Sequence, residues 1–228
     1  MSLSVQEIEK LNLPDLLSFL ASKFPGKVAF STSLSVEDQV ITHHIFSNNL
    51  PIRVFTLDTG RLFPETYSVF NATRERYKQN IEVFFPKHEA VEKLVTEKGP
   101  ISFYERLENR KECCFIRKVE PLNRALEGVE CWITGLRAEH SENRKSMPMV
   151  ELDESRGITK VHPLTTWSTE EVKAEISKFN IPYNVLHDRG FISIGCQPCT
   201  RAIREGEDFR AGRWWWENND KKECGLHA

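Results

Sequence analysis

Short runs of β-branched and aromatic residues alternate with longer stretches of helical periodicity along this chain of 228 residues. The alternation is typical of α/β proteins, in which helices connect the parallel strands of one sheet. Strands are predicted at 27–31, 52–57, 81–85, 131–134 and 158–161. Helices are predicted over about 5–24, 36–47, 64–79, 89–97, 103–126 and 169–179. We therefore expect a parallel-type sheet of about five strands with helices on both faces.

Charge and hydropathy narrow the class of protein further. The chain has 31 basic and 33 acidic residues and no block of like charges, so binding to nucleic acid or to a membrane surface is not indicated. Glu7, Glu9 and Lys10 lie where a secretory signal needs an apolar stretch, and no apolar run approaches the ~20 residues of a membrane span. We expect a cytoplasmic protein with reduced thiols.

Polar residues follow the first, second and fourth predicted strands, at the strand ends where α/β sheets bind their ligands. Hydroxyls and amides at 31–38 precede a helix, an arrangement that suits phosphate, although the same residues would also serve as a helix cap. Together the three loops predict a phosphorylated, nucleotide-like ligand. The predicted binding residues are Ser31, Thr32, Ser33, Ser35, Leu57, Asp58, Thr59, Gly60, Gly135, Arg137 and Arg144.

The six cysteines fall into groups with different expected roles. Cys131 lies in an apolar strand and is predicted to be a small buried packing residue. Four thiolates, enough for a zinc ion or an iron–sulfur cluster, come from Cys113, Cys114, Cys196 and Cys199. Adjacent cysteines differ by about 100° around a helix, which suits a larger cluster better than one small tetrahedral ion. A redox-active C-x-x-C pair is the alternative, but this motif occurs late in the chain rather than after an early strand.

After residue 203 the periodicity fades into a tail with tryptophans at 214–216. Because disordered tails contain few aromatic residues, we expect the tail to pack against other residues, and we divide the chain into 1–203 and 204–228. Cys224 has two lysines and His227 nearby, and positive charge favours the nucleophilic thiolate. An isolated tail cysteine more often has no such role.

Four motifs within 31–227 are distinctive in combination: S-T-S-L-S-V-E-D, L-D-T-G-R-L-F-P-E-T, the C-C pair with G-C-x-P-C-T-R, and K-x-E-C-G-L-H preceded by R-A-G-R-W. In these motifs the chain resembles the assimilatory adenylylsulfate and phosphoadenylylsulfate reductases, which belong to the adenine nucleotide alpha hydrolase-like, Rossmann-like superfamily. The resemblance implies an enzyme of sulfate assimilation and cysteine biosynthesis that reduces adenylylsulfate to sulfite and AMP. Phosphoadenylylsulfate as the main substrate is an alternative.

The resemblance also implies roles for individual residues. Cys113, Cys114, Cys196 and Cys199 look like ligands of a 4Fe-4S cluster, and Cys224 looks like the nucleophile that forms an S-sulfocysteine. Lys118 and His227 are the other implied catalytic residues; Lys118 lies one helical turn after Cys114, where it can face the cluster. Arg210 and Arg213 match arginines that contact the phosphosulfate. Thioredoxin or a similar dithiol protein is expected as a separate electron donor, because the chain ends at Ala228 without the fused thioredoxin-like domain of plant-type enzymes.

Some features depart from the family or leave alternatives open. The first loop has Leu34 and Ser35 where family members often have a glycine, which leaves its detailed contacts open. An ATP-pyrophosphatase sulfurtransferase needs an S-G-G-x-D-S loop that this chain lacks, and a zinc-bearing nucleotide sensor is the non-catalytic alternative. We expect the tail from about Glu205 onward to be a mobile lid. A homo-oligomer is compatible with the sequence, which leaves the oligomeric state open.

Overall fold

A six-stranded sheet organises the chain, as seen in the computed structural model, which describes residues 5–140 and 147–217. The strands are β1 (Val28–Ser31), β2 (Arg53–Leu57), β3 (Glu82–Phe84), β4 (Cys131–Ile133), β5 (Val150–Asp153) and β6 (Ile158–Val161). Their order is β3-β2-β1-β4-β6-β5. The pairs β1–β2, β1–β4 and β4–β6 are parallel, and β5 runs antiparallel to β6. The predicted α/β class and all five predicted strands are confirmed.

The sixth strand, β5, is the one that the sequence analysis missed. It pairs with β6 in the register Val150 with Val161 and Asp153 with Ile158. As an edge strand it is short and partly exposed, so it lacks the apolar run by which the other strands were found; Leu152 is 64% exposed. The turn between β5 and β6 was the sequence signal that could have revealed this strand. In this turn Asp153 accepts hydrogen bonds from two following residues, and Gly157 has a φ of +67°.

Eight α-helices accompany the sheet in the described ranges. They are α1 (Val5–Ile8), α2 (Leu13–Lys23), α3 (Val36–Ser47), α4 (Pro64–Tyr77), α5 (His88–Lys98), α6 (Leu107–Cys114), α7 (Glu120–Ala125) and α8 (Thr169–Phe179). The helix predicted over 5–24 is interrupted because Asn12 caps α2, accepting a hydrogen bond from the backbone N–H of Asp15. The predicted capping box of Ser168 and Glu171 is confirmed at the start of α8. No helix in the described ranges is long and apolar enough to span a bilayer.

The single helix predicted over 103–126 is several elements. A 3₁₀ turn at Ser102–Tyr104 precedes α6, and a π-helical segment at Phe115–Val119 joins α6 to α7. Pro121 has no N–H to donate to the carbonyl of Arg117, so the regular α-helical ladder is broken at this point. π-helical turns are frequent at functional sites, and this one follows the cysteine pair directly.

The chain divides into two compact units. The first comprises residues up to 56, 65–82 and 128–185, and the second comprises 57–64, 83–127 and the residues from 186 onward. In the first unit, fully buried apolar side chains of α2, α3 and the central strands form the core, among them Leu17, Ile41 and Phe30. Cys131 belongs to this core with no exposed surface, and burial raises its pKa to about 12. Its prediction as a packing residue is confirmed.

Candidate active site

The second unit brings together the four cysteines that were predicted as metal ligands. Cys113 and Cys114 end α6, and Cys196 and Cys199 lie at a 3₁₀ turn formed by Gln197–Cys199. Cys114 and Cys196 are buried, and the other two are half-buried. None of the described cysteines forms a disulfide. Two segments more than 80 residues apart in sequence therefore supply one group of thiols that form no disulfide.

Electrostatic interactions connect these thiols to one another. Burial raises the pKa of Cys199 to about 12, and the negative charges of Cys196 and Cys114 contribute to the increase. Burial also raises the pKa of Cys113, to which the charge of Cys196 adds. Each of the four thiols thus lies within electrostatic range of another member of the group.

Positive charges oppose this effect at Cys196. Burial disfavours its thiolate, but Lys118, a hydrogen bond with Thr59, Arg213 and Arg117 together outweigh burial and lower its pKa. The Sγ of Cys196 lies 3.3 Å from the Oγ1 of Thr59. Lys118 is the largest of the favourable contributions, so its charge lies within electrostatic range of Cys196, and its predicted catalytic role stays a prediction.

Arg117 and Arg213 place two further guanidinium groups beside the thiols. Arg117 is 6% exposed, donates from NH1 to the carbonyl of Thr59 at 2.6 Å, and lowers the pKa of Cys113 against the opposing effect of burial. Arg213 packs on Gly195, where a Cβ would lie 2.3 Å from its NH2. A side chain at position 195 would therefore displace this guanidinium from its place beside the C-x-x-C turn.

Two buried N–H groups near the thiols lack an acceptor among the described residues: Arg117 Nε and Trp214 Nε1. Within residues 5–140 and 147–217, no group of three or more His, Cys, Asp or Glu side chains is arranged to hold a metal ion. Buried donors without a partner are uncommon in proteins and call for an explanation.

The described part of the predicted tail, residues 204–217, belongs to the second unit and packs there. Its backbone pairs with the cysteine turn through a bridge between Thr200 and Arg213. Trp214 is 1% exposed, and the guanidinium carbon of Arg213 lies 4.6 Å from its ring centroid. Arg210 lies 5.9 Å from the same ring. The expectation that this tryptophan-rich segment packs against other residues is confirmed for the described residues.

The loop after β2, also in the second unit, is folded by its own side chains. Asp58 Oδ1 accepts a hydrogen bond from the N–H of Gly60 at 2.8 Å, and Thr59 Oγ1 accepts one from the N–H of Arg61 at 3.2 Å. Gly60 has a φ of +69°, a conformation that favours glycine. Leu57 ends β2 just before this turn. The predicted binding residues of this loop stay predictions, and the turn explains why a glycine is needed.

The loop after β1, in the first unit, is built around Asp38. Its Oδ2 accepts hydrogen bonds from the N–H and the hydroxyl of Ser33, both at 2.6 Å, and its own N–H donates to Ser35 Oγ. Burial raises the pKa of Asp38 to about 6, although the hydrogen bonds from Ser33 act in the opposite direction. The donors predicted to bind a phosphate therefore hold a carboxylate in this structure.

The other predicted residues of this loop also have protein partners. Thr32 Oγ1 accepts a hydrogen bond from the N–H of Leu34 at 3.0 Å. Ser31 Oγ accepts one from Trp132 Nε1 at 2.9 Å. Leu34, at the position that departs from the family pattern, has a φ of +61° and is 2% exposed. A buried leucine thus adopts the left-handed conformation that glycine adopts at lower cost.

Gly135 and Arg137 follow β4 in the first unit. A Cβ at Gly135 would lie 2.1 Å from Asp38 Oδ1, so the backbone approaches the carboxylate as closely as glycine alone permits. Arg137 is 1% exposed and uses all five of its N–H groups on protein acceptors. The acceptors are Glu37 (twice), Glu139, the carbonyl of Trp167 and Thr169. In this arrangement every N–H of the Arg137 guanidinium bonds a protein acceptor. Its predicted contact with the ligand stays a prediction.

Comparison with known proteins assigns the chain to a family. The Phosphoadenosine phosphosulfate reductase domain matches residues 27–202. The chain belongs to this family. It is 54% identical over 201 residues to the adenosine 5'-phosphosulfate reductase of Burkholderia cepacia, covering 88% of this chain and 80% of that protein. It is 48% identical over 222 residues to the enzyme of the same name from Rhizobium meliloti (strain 1021), covering 97% and 83%. The resemblance inferred from the motifs is confirmed.

Solved structures agree with the family assignment. The phosphoadenylyl-sulfate reductase of Candida auris, solved as a phosphate complex, has a TM-score of 0.74 at 29% identity over 89% of this chain and 99% of that one. Yeast FAD synthetase has a TM-score of 0.58 at 17% identity, covering 87% and 67%, which concerns the fold alone. The nucleotide alpha hydrolase-like fold expected from the motifs is thereby confirmed.

Three predicted site residues lie outside the described residues: Cys224, His227 and Arg144. Other residues of the site were not found from the sequence. Arg117 was missed although it lies four residues after Cys113, the same spacing that identified Lys118 from Cys114. Asp38 carried no signal, because a carboxylate is not expected among the donors of an anion-binding loop.

Proposed function

We propose that this protein reduces adenosine 5'-phosphosulfate to sulfite and AMP in sulfate assimilation, as an oxidoreductase acting on sulfur. The observation that carries the proposal is its 48–54% identity to adenosine 5'-phosphosulfate reductases over most of the chain. We further propose that it acts in the cytoplasm, with thioredoxin or a similar dithiol protein as electron donor. Both additions rest on the resemblance of its motifs to those of the family.

The proposed chemistry has two stages, formation of the S-sulfocysteine and its reductive release. The thiolate of Cys224 attacks the sulfonate sulfur, a sulfur–sulfur bond forms, and the sulfur–oxygen bond to AMP breaks, so that AMP leaves with the electron pair. A thiolate of the dithiol protein then attacks the Cys224 sulfur, and sulfite leaves. The second thiol of the donor frees Cys224 and forms a disulfide. The donor loses two electrons and the sulfonate sulfur gains two, which balances the reaction.

Cys113, Cys114, Cys196 and Cys199 are the residues that we propose hold a 4Fe-4S cluster. Four thiols that form no disulfide and interact electrostatically with one another fit such a group, and its sulfides would supply acceptors for the buried N–H groups of Arg117 and Trp214. When bound, the cluster supplies a charge of about −2 to its surroundings. Lys118 and Arg117 would offset that charge, and we propose that Lys118, Arg210 and Arg213 bind the anionic phosphosulfate.

The lid expected from the sequence is part of the proposal. Cys224 must first reach a sulfonate that is shielded from water and must then present its S-sulfonate to another folded protein. Both requirements are met if the nucleophile-bearing segment within 204–228 moves between the two steps. We expect protease cleavage after Glu205 to decrease when AMP binds and to increase once Cys224 is sulfonated and AMP has left. Equal cleavage in all three states would contradict the lid.

The proposal is tested with anaerobically purified protein. We expect sulfite and AMP from adenosine 5'-phosphosulfate in the presence of thioredoxin, at a higher kcat/KM than from the 3'-phosphorylated substrate. Incubation with substrate and no reductant should add one sulfonate mass to the peptide with Cys224. The Cys224→Ser variant should form no sulfite but keep its iron and its AMP affinity. Released pyrophosphate would indicate an adenylating sulfurtransferase, and a colourless zinc protein without reductase activity would indicate the nucleotide sensor.

A further inference from the structure

One buried arginine links the cysteine-bearing helix to the C-terminal segment. Arg110 lies on α6, and its side chain is 2% exposed. It donates from Nε to Glu217 Oε1 at 2.8 Å and from NH2 to Glu217 Oε2 at 3.0 Å. Its guanidinium carbon lies 4.6 Å from the ring centroid of Trp214, and its side chain also hydrogen-bonds that of Cys114. The same side chain thus contacts a proposed cluster ligand and two residues of the tail.

The geometry of this ion pair indicates that it holds the tail to α6 at Glu217, and we call the pair the anchor. Two parallel hydrogen bonds between guanidinium and carboxylate fix orientation as well as distance, and the Glu217 side chain is only 9% exposed. Arg201 and Glu207 form a second two-bond pair within the same unit, but their side chains are 34% and 29% exposed. Exposed pairs contribute little to structure, whereas a buried pair leaves an uncompensated charge if one partner is removed.

The position of Glu217 in the chain gives the anchor a consequence for Cys224. Cys224 lies seven positions after Glu217, so it can lie at most about 25 Å from Glu217. Without the pair, the nearest backbone tie among the described residues is the hydrogen bond from the Trp214 N–H to the Cys199 carbonyl at 3.3 Å. It lies ten positions before Cys224, which extends the limit to about 35 Å. For a flexible tether this change alone lowers the effective concentration of the thiol less than about twofold. Loss of a fixed starting direction lowers it further.

We propose that Arg110 is a positioning residue for the reaction, which fixes the start of the Cys224 segment to α6 by its ion pair with Glu217. The inference rests on the proposed function, in which Cys224 is the nucleophile. It assigns to Arg110 no contact with the substrate. The pair determines how often and from which direction the thiol approaches the sulfonate.

The test compares Glu217→Gln with Glu207→Gln in the cluster-loaded full-length protein. Both changes replace a carboxylate by an amide of the same size in a two-bond ion pair, one buried and one partly exposed. Single-turnover formation of the S-sulfonate is followed by mass spectrometry, and hydrogen exchange is measured on a peptide covering 212–217. Iron content, melting temperature and AMP affinity are measured in parallel, and Glu217→Asp is the conservative variant.

We expect Glu217→Gln to accelerate exchange in 212–217 and to slow S-sulfonation by on the order of tenfold, with iron content and AMP affinity unchanged. Glu217→Asp should recover part of the rate, and Glu207→Gln should behave as wild type. The anchor is overturned if Glu217→Gln leaves both exchange and the sulfonation rate unchanged, or if both variants slow the reaction equally. A Cys224→Ser protein that still forms sulfite would contradict the proposed function instead, and the sulfite assay detects this without any change at Glu217.

If Glu217→Gln lowers iron content or prevents folding, Arg110→Lys provides the second measurement. It keeps the positive charge beside Glu217 and Cys114 but cannot form two parallel bonds. A folded, iron-loaded Arg110→Lys protein with slower S-sulfonation supports the anchor. A wild-type rate in that variant would show that charge alone is required and would overturn the proposal.

Discussion

Substitution of Gly135 by alanine tests how the first loop is held. The new contact would be severe, because an added Cβ would lie 2.1 Å from Asp38 Oδ1 and 3.2 Å from Asp38 Cγ. Non-bonded heavy atoms normally stay about 3.5 Å apart, so the carboxylate must retreat by more than about 1 Å. The φ of Gly135 is not in the left-handed region, so backbone strain contributes no cost.

The energetic cost follows from the hydrogen bonds that the retreat breaks. Asp38 Oδ2 accepts two bonds from Ser33 at 2.6 Å, and a hydrogen bond to a charged group contributes about 1.5–3 kcal/mol. Partial rehydration of the displaced carboxylate and the smaller entropy of the unfolded alanine chain, about 0.4–1 kcal/mol, offset part of this loss. We expect Gly135→Ala to lower the free energy of unfolding by about 3 kcal/mol.

Urea unfolding of four proteins checks this account: wild type, Gly135→Ala, Asp38→Ala and the double variant. If the collision with Asp38 causes the loss, Gly135→Ala should cost less than about 1 kcal/mol once Asp38 is alanine. Gly128→Ala is the control, because a Cβ there meets nothing within 4 Å and only its φ of +75° contributes a cost. Equal costs of Gly135→Ala in the two backgrounds would refute the reasoning.

Three further outcomes are expected. Burial lowers the pKa of His43 to about 4, so the unfolded chain binds a proton more readily than the folded protein below pH 6.5. The free energy of unfolding of wild type should therefore fall by up to about 3 kcal/mol between pH 6.5 and 4 relative to that of His43→Asn, as measured by urea unfolding at each pH. A loss of the same size in both proteins would exclude His43 as its source. Cys199→Ala should abolish iron binding and activity, whereas Cys131→Ala should keep both, and full iron content in the first would contradict the proposed ligand set. Trp132→Phe should cost about 1–2 kcal/mol because it leaves Ser31 without its 2.9 Å donor, and an unchanged urea midpoint would show that water replaces the indole.

Features that depend on local sequence were predictable. Periodicity located the strands that became β1, β2, β3, β4 and β6, and the spacing of Ser168 and Glu171 located the start of α8. The strand β5 escaped because an edge strand with Leu152 exposed lacks a continuous apolar run. The π-helical segment escaped because it conserves helical periodicity on each side and differs only in hydrogen bonding.

Features that depend on distant partners could not be predicted. Arg137 has the chemistry to bind an anion, yet its guanidinium bonds Glu37, which is 100 residues away in sequence. Arg110 gave no signal because its partner Glu217 is 107 residues away. An isolated arginine in a sequence has the same chemistry whether it meets a carboxylate of its own chain or an anionic ligand. Only the fold decides between the two.

The π-helical segment has a consequence for how this helix tolerates insertions and deletions. A π turn is equivalent to one extra residue within a helix, so the faces of α6 and α7 are out of phase by about 100° relative to a continuous α-helix. Removing one residue from 115–119 would take out the extra residue of the π turn but would rotate every side chain on one side of the deletion. The cysteine pair at the end of α6 and the apolar face of α7, where Leu122 is 1% exposed, could then no longer both keep their present neighbours. The number of residues between the cysteine pair and α7 therefore cannot change even by one, although residues 115–119 include no cysteine.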